Sequence, residues 1–532
     1  MAEKREHWSS GWGFLMAAIG SAIGLGNIWK FPYITGMNGG GAFVLVYLVC
    51  ILTIGLPVMI CEISMGRATQ LNPLGAFRKL APKHSLLAHS TGSLTSLTGL
   101  ALALLGSWGF GGLLIVLGLL IVRYGWVVAG LINGVVCIVL IMGVYCVVGG
   151  WTLLYALRAF SNHLAFTDEA GANLVFHYFA HGEGLGLWFS WGGMMLFLLL
   201  CALVVAAGVR NGIEKYSKIL MPSLFALLLI LILRGITLPG AMAGVSFFLT
   251  PDFSKLSARG VLEALGHAFY SLSLGMGIMI TYGSYMSPKQ SVVKNALAVI
   301  GFDTLAAMMG GLAIFPTLFA LGFRPDSGPG LVFKVLPAAF NHMPGGFGFF
   351  WSGIFFLVLS IAALTSGVSL LEVITSVLID EFKMSRRRAV LWSSLPIAGL
   401  GTLCVLSVAN WDRLSWFAQA LGKVFSKIPP SFFDLLDFVS SSWILPLSGL
   451  AISLFVGWIW GTRRALHEIR KSGGDLLDVN LLVLLSGLKD EPGYDNPHKI
   501  FTAASCWGIF IRFISPLAIM VMFLHAIGVL QL

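Results

Sequence analysis

Charge is scarce in this chain. Its 532 residues include only 33 Lys and Arg and 23 Asp and Glu, 11% charged, against about 25% in soluble domains. A soluble globular protein of this length is thereby excluded. Several motifs are also missing. No G-x-x-x-x-G-K-[ST] loop occurs to hold the phosphates of a primary pump, and neither an HExxH metal motif nor a GxSxG elbow is present. Acidic residues within apolar stretches are dispersed, which argues against a membrane enzyme. The seven cysteines (Cys50, Cys61, Cys137, Cys146, Cys201, Cys404 and Cys506) lie in apolar segments. Their spacing suits neither a zinc site nor a disulfide framework, so they are expected to be small packing residues. No cleavable leader is apparent: polar Met1–Ser10 runs straight into an apolar stretch.

What is abundant is hydrophobic length. The chain is 57% hydrophobic with mean hydropathy +0.89. Runs near the ~20 residues needed to cross a bilayer recur throughout. Eleven spans are expected, at about 11–35, 41–66, 126–158, 188–209, 216–238, 260–286, 292–321, 346–379, 389–410, 432–460 and 501–528. Basic residues alternate between loops: Lys4/Arg5, then Arg67/Arg78/Lys79/Lys83, Arg210/Lys215/Lys218, Lys289/Lys294, Arg386/Arg387/Arg388 and Arg463/Arg464/Arg470/Lys471. The loop from Ser161 to Leu187 has none. The positive-inside rule then puts the N-terminus in the cytoplasm and the C-terminus outside. The net charge of +10 reports orientation rather than a nucleic-acid partner.

Two spans are written so that they resist winding. Gly20-Ser-Ala-Ile-Gly24-Leu-Gly26-Asn27 carries three glycines, each costing roughly 1 kcal/mol against alanine in a helix. Ser271-Leu-Ser-Leu-Gly275-Met-Gly277 repeats the device in the second half. Unwound backbone at membrane depth is tolerated only where it lines a cavity or is buried in protein. Paired interrupted helices in corresponding halves point to a midplane substrate and ion site. Each half holds five spans, an odd number, so the second is inverted relative to the first. Leu94–Val122 fits this topology poorly. It is apolar, and its centre, Gly106-Ser-Trp-Gly-Phe-Gly-Gly112, reads as a helix breaker between two short arms. A re-entrant hairpin or a surface pair of helices is expected there.

Arg5…Trp8, Gly20-Ser-Ala-Ile-Gly-Leu-Gly-Asn-Ile-Trp-Lys-Phe-Pro32 and Asn38-Gly-Gly-Gly-Ala-Phe43 resemble the neurotransmitter:sodium symporter family, closest to its bacterial amino-acid transporters. Phe269–Gly277, Leu364–Ser369 and Phe433–Asp437 extend the resemblance over nearly the whole chain. It implies an all-α polytopic protein with the leucine-transporter fold, a 5+5 inverted repeat with helices 1 and 6 broken. One transporter domain, 1–532, would comprise a first repeat at 11–238, a hydrophobic insertion at about 84–123, a second repeat at 260–460 and a peripheral helix at 501–528. The implied activity is sodium-driven uptake of a small amino acid by alternating access. A sensor that binds without cycling and an amine symporter are the alternatives. The expected setting is the inner or plasma membrane, with lipid and a small amino acid as partners and a monomer or homodimer as the assembly.

The resemblance also assigns residues. One sodium falls at Ala22 (carbonyl), Asn27, Ser271 and Asp303, and a second at Gly20, Ile23 and Ala362 (carbonyls) with Thr365 and Ser366. The residue types agree on their own account, because Thr365, Ser366 and Ser369 share a helix face in an apolar span. A carboxylate such as Asp303 costs at least ~2.5–3.5 kcal/mol at the membrane centre. Chloride-requiring relatives use the anion near the first sodium, so a fixed Asp303 implies independence from chloride. Gly24 stands where monoamine carriers have aspartate, which leaves room for a substrate carboxylate. Tyr145, with Trp151 six residues on, corresponds to the tyrosine that binds it. Ala22, Gly24, Gly26, Ile141, Tyr270, Ser271, Ser273, Met276, Gly367 and Leu370 complete the implied substrate site. Adaptable Met276 and small Gly367 suit a hydrophobic or aromatic L-amino acid. Lys30 with Asp437 would close the outer side. Arg5 with Asp380, helped by Trp8, Ser284 and Tyr285, would close the cytoplasmic side. Glu62 is given a structural bonding role near the first broken helix. No organic cofactor is expected.

Overall fold

The computed structural model describes residues 6–81, 108–164, 169–180, 185–323, 330–409, 431–472 and 502–527, with a few isolated positions between them. Everything regular in them is helix. The first span is α1 (Gly11–Ala22) and α2 (Gly26–Met37), bent 44° to each other. The Ser10 side chain caps α1 by accepting from Gly13 N. Ile23 then leaves the helix in extended geometry (φ −77°, ψ 98°). The break at Ile23–Leu25 falls inside the glycine-rich stretch.

The chain continues through α3 (Gly41–Thr69), α4 (Pro73–Leu80), α5 (Trp108–Tyr124), α6 (Val127–Phe160), α7 (Gly186–Ala206) and α8 (Val209–Ile236). The second half opens with α9 (Ala258–Ser271) and α10 (Ile278–Ser284), separated by unwound Leu272–Gly277. Then follow α11 (Val292–Ala320), α12 (Gly348–Phe382), α13 (Arg386–Val408), α14 (Phe432–Arg470) and α15 (Ala503–Ala526). Among the described residues, nine unbroken helices are long and apolar enough to span, and α1/α2 makes a tenth. The α9/α10 pair, 14 and 7 residues long, occupies the interrupted span expected at 260–286. α1 packs against α8, α11 and α12, while α6 packs against α7, α12 and α13. The broken helices thus lie against a frame of continuous ones.

The unwound turn of the second pair is explained by its peptide groups. Ser273, Gly275 and Gly277 have φ of 53°, 74° and 68°, the left-handed region that glycine enters without steric cost. Glu62 Oε1 on α3 accepts from Gly275 N at 2.7 Å, and Asn133 Nδ2 on α6 donates to Gly275 O at 3.0 Å. Side chains replace the lost helical bonds, as a water-poor interior requires. Glu62 therefore braces the second broken helix, not the first as its sequence position had suggested. α3 packs alongside α10, and the carboxylate reaches the peptide left bare there.

Two further points concern bounds. α5 begins at Trp108 and winds through Gly109, Gly111 and Gly112, so three glycines of the expected 106–112 breaker lie in its first turns, while Gly106 and Ser107, where the two arms would join, lie outside the described residues. Glycine is tolerated in apolar helices, where winding is the cheapest way to satisfy the backbone. Ser96 Oγ donates to Ile115 O at 3.3 Å, which sets the preceding arm beside α5. Most of the rest of the 84–123 insertion lies outside the described residues. α14 overruns its expected end by ten residues (Arg470 against 460), because after Gly461 (φ 87°) the chain winds again as Thr462–Arg470.

Candidate functional site

Both helix breaks meet at one carboxylate. Asp303 of α11 is fully buried. Its Oδ1 accepts from Asn27 Nδ2 at 2.8 Å and from Ser271 Oγ at 2.9 Å. Asn27 lies in the first turn of α2 and Ser271 closes α9, so one acid ties the two interrupted spans together. Tyr47 OH donates to Ser271 Oγ at 3.1 Å and to Asp303 Oδ2 at 3.4 Å. Ser273 Oγ donates to Ser21 O at 3.0 Å, a second bond between the breaks. Asn27 Oδ1 accepts from Gly24 N at 3.2 Å. The Asp303 carboxylate and the Ser271 and Tyr47 hydroxyls, with Asn27 beside them, bring together oxygen donors of the hard kind that a small monovalent cation accepts.

On the other face of the break, Thr365 Oγ1 donates back to Ile361 O and Ala362 O at 3.1 and 3.2 Å. A Cβ built on Gly20 would stand 3.3 Å from Thr365 Cβ. The end of α1 therefore touches the α12 face that carries Thr365 and Ser366.

Beside the break is a small cavity of about 10 Å³, walled by Ala22, Gly24, Leu25, Gly26, Ile141, Tyr145, Tyr270, Ser273, Met276, Ser366 and Leu370. Leu25 N donates to Tyr145 OH at 3.4 Å. A Cβ on Gly24 would lie 3.1 Å from the Tyr145 hydroxyl and 3.2 Å from Ser366 Oγ. Gly367 is not part of the wall; its missing side chain would point at Cys201 and Phe197. Leu25 was not among the expected wall residues.

Above this pocket an outer cavity of about 60 Å³ is lined by Trp29, Lys30, Tyr33, Tyr145, Tyr270, Phe433 and Asp437, among others. Lys30 Nζ stands 4.6 Å from the centre of the Tyr270 ring. Among the described residues, no ion pair within 4.0 Å joins Lys30 to Asp437. Lysine is a point charge without the guanidinium fork that pre-aligns on carboxylates.

The end of the molecule that carries the N-terminal segment, expected to face the cytoplasm, is held by a set of bonds. Trp8 Nε1 donates to Tyr282 O at 3.0 Å, and Trp8 N to Tyr285 O at 3.2 Å. Tyr285 OH donates to Glu372 at 2.7 Å, and Ser284 Oγ to Thr281 O at 2.6 Å. Asp380 accepts from Asn72 N and Nδ2 at 3.0 and 3.1 Å; Arg5, its expected partner, lies outside the described residues. Two bonded groups were not anticipated. Arg386 grips Glu372 through two bonds of 2.8 and 3.0 Å and also pairs with Glu6 at 3.1 Å. Glu214 accepts from Ser9 N at 2.9 Å and from Lys218 at 2.6 Å. Glu372 had a signal of its own, as an acid in an apolar span; its partner fourteen residues on, across a turn, had none.

Residues 5–110 and 188–475 match the sequence model of the Sodium:neurotransmitter symporter family. The chain belongs to that family. Within it, the chain is 34% identical over 530 residues to YhdH, an uncharacterised sodium-dependent transporter of Bacillus subtilis, covering 99% of each. The serotonin transporter of Drosophila melanogaster is 28% identical over 450 residues, 76% of this chain and 64% of that protein. A solved structure of MhsT in complex with L-phenylalanine superposes with a TM-score of 0.76, at 37% identity, covering 98% of this chain and 100% of that one. This symporter-family chain is accordingly a multi-pass, all-α, sodium-dependent transporter with the leucine-transporter fold, and not an enzyme.

Proposed function

We propose that the protein carries a hydrophobic or aromatic L-amino acid inward with two sodium ions, by alternating access and without chloride. The observation that carries this reading is the convergence of both helix breaks, through Asn27 and Ser271, on buried Asp303, beside a pocket walled by Gly24 and Tyr145. The first sodium would take oxygens from Ala22, Asn27, Ser271 and Asp303; the second, from Gly20, Ile23, Ala362, Thr365 and Ser366. The substrate carboxylate would meet Tyr145 OH and the Leu25 amide that faces it, with the substrate side chain toward Ile141, Met276 and Leu370. L-phenylalanine in the related MhsT structure supports an apolar side chain. An amine substrate is disfavoured, because Gly24 offers no carboxylate to its ammonium group. The alternation of basic loops supports a cytoplasmic N-terminus in the cell membrane. Each positive charge moved inward draws about 2.3 kcal/mol per 100 mV, enough to concentrate substrate strongly.

The test is uptake of labelled L-phenylalanine into proteoliposomes under an inward sodium gradient, with all twenty amino acids as competitors, in chloride and in gluconate. Apolar and aromatic L-amino acids should compete, and gluconate should leave the rate unchanged. Displacement by glycine, alanine or β-amino acids alone would refute the assignment, and sodium-dependent binding without uptake would favour a sensor. A smaller probe addresses Gly24. In Gly24→Ala the new methyl crowds Tyr145 OH and Ser366, where the carboxylate would sit. L-phenylalanine affinity should fall at least about tenfold, or ~1.4 kcal/mol, while stabilisation by sodium alone persists; equal affinity would remove the carboxylate from this position.

A further inference from the structure

Phe197 of α7 occupies a slot made by two missing side chains. A Cβ on Gly149 of α6 would fall 2.6–2.7 Å from its ring atoms, and one on Gly367 of α12 would fall 3.1 and 3.2 Å from them. The ring is fully buried and its centre lies 6.3 Å from that of Tyr145. Cys201, one turn further along α7, fills the space beside it, 2.9 Å from the same Gly367 position. Among the described residues, no side chain of α7 lines the pocket or the outer cavity. α6 carries Ile141 and Tyr145 into the pocket wall, and α12 carries Ser366 and Leu370. The spacing of these two helices therefore sets the width of the pocket.

We propose that Phe197 is a positioning residue: a wedge between Gly149 and Gly367 that holds α6 and α12 apart and keeps the Tyr145 hydroxyl against the first helix break. The proposal rests on the amino-acid reading above and deepens it, because it names what sets the geometry of the carboxylate-binding tyrosine. Interiors are close-packed, so a ring in a two-sided slot transmits position rather than merely filling space. Either glycine replaced by alanine would drive the ring or the helices aside.

The test is a double-mutant cycle on L-phenylalanine binding in sodium, with wild type, Phe197→Leu, Tyr145→Phe and the double variant. Each single change should weaken binding about tenfold, and the double variant should bind no more weakly than Tyr145→Phe, because the wedge acts through that hydroxyl. Losses that multiply, or wild-type affinity in Phe197→Leu, would overturn the proposal. Gly149→Ala guards against a variant that merely misfolds: it should weaken binding alone and recover when Phe197→Leu makes room, and lack of recovery would count against the wedge. A substrate-free arm separates this proposal from the amino-acid reading. Cys201, buried in the wild type, should react with a small methanethiosulfonate in Phe197→Ala while buried Cys137 stays unreactive; equal reactivity of Cys201 in both proteins would sink the wedge. Absence of sodium-linked L-phenylalanine binding in the wild type would sink the amino-acid reading, and the Cys201 comparison would still judge the wedge.

Discussion

Asp303→Asn is expected to lower the apparent sodium affinity by about a hundredfold or more in chloride-free medium. A unit charge about 4 Å from a cation is worth roughly 4 kcal/mol at an effective dielectric constant of 20, and ~1.4 kcal/mol is a factor of ten. Asparagine keeps the size and one oxygen but loses the charge, while Asn27, Ser271 and Tyr47 still direct donors at the position. Those donors would then suit a small mobile anion. Chloride should therefore restore part of the affinity in the variant and do nothing for the wild type. The measurement is a sodium titration of substrate binding in gluconate and in chloride. An unchanged midpoint in gluconate would remove Asp303 from the cation site, together with the account of chloride independence.

The second large effect is expected at the Glu372 cluster beside the N-terminal segment. Arg386→Ala leaves the Glu372 carboxylate, whose side chain is 0% exposed, with Tyr285 as its remaining donor in this cluster. Removing one partner of a buried ion pair costs about 3–5 kcal/mol, mostly the penalty of the stranded charge. It also releases Glu6, which otherwise holds the N-terminal segment by accepting from Val209 N at 2.5 Å. The variant should lose thermal stability, and cysteines introduced along the cytoplasmic pathway should label faster, as in an inward-open shift. Adding Glu372→Gln should recover much of the stability, because the stranded charge is gone. Arg386→Lys should only partly substitute, since an ammonium cannot make the paired contact to both carboxylate oxygens. Wild-type stability in Arg386→Ala would show that the pair bears no stress.

How much was legible follows from where each signal lives in the chain. The first break, at Ile23–Leu25, lies inside Gly20–Asn27, and the second, at Leu272–Gly277, lies inside Ser271–Gly277. Weak winding is a property of the segment itself, so it shows in one dimension. Asp303 was legible for the same kind of reason, because a carboxylate in an apolar run is conspicuous without any knowledge of its neighbours. Glycine content alone does not decide a break: Gly109, Gly111 and Gly112 wind into α5, and the expected junction of the two arms at Gly106–Ser107 lies outside the described residues. Glu62 was recognised as buried and bonded, yet its partner, Gly275, is 213 positions away in sequence. The expected Lys30–Asp437 lock became two groups in one cavity wall, with Lys30 over Tyr270.

The sequence by itself determined the class of the protein, the two places where winding fails and the acid that must be answered. Each is a local free energy (transfer to lipid, helix propensity or a buried charge) that a segment carries wherever it sits. Only the tertiary structure decided that Glu62 braces the second break, that Arg386 rather than a nearer base answers Glu372, and that Phe197 fits a slot between Gly149 and Gly367. Those facts depend on the mutual rotation and approach of helices far apart in the chain, and the packing of whole surfaces sets these.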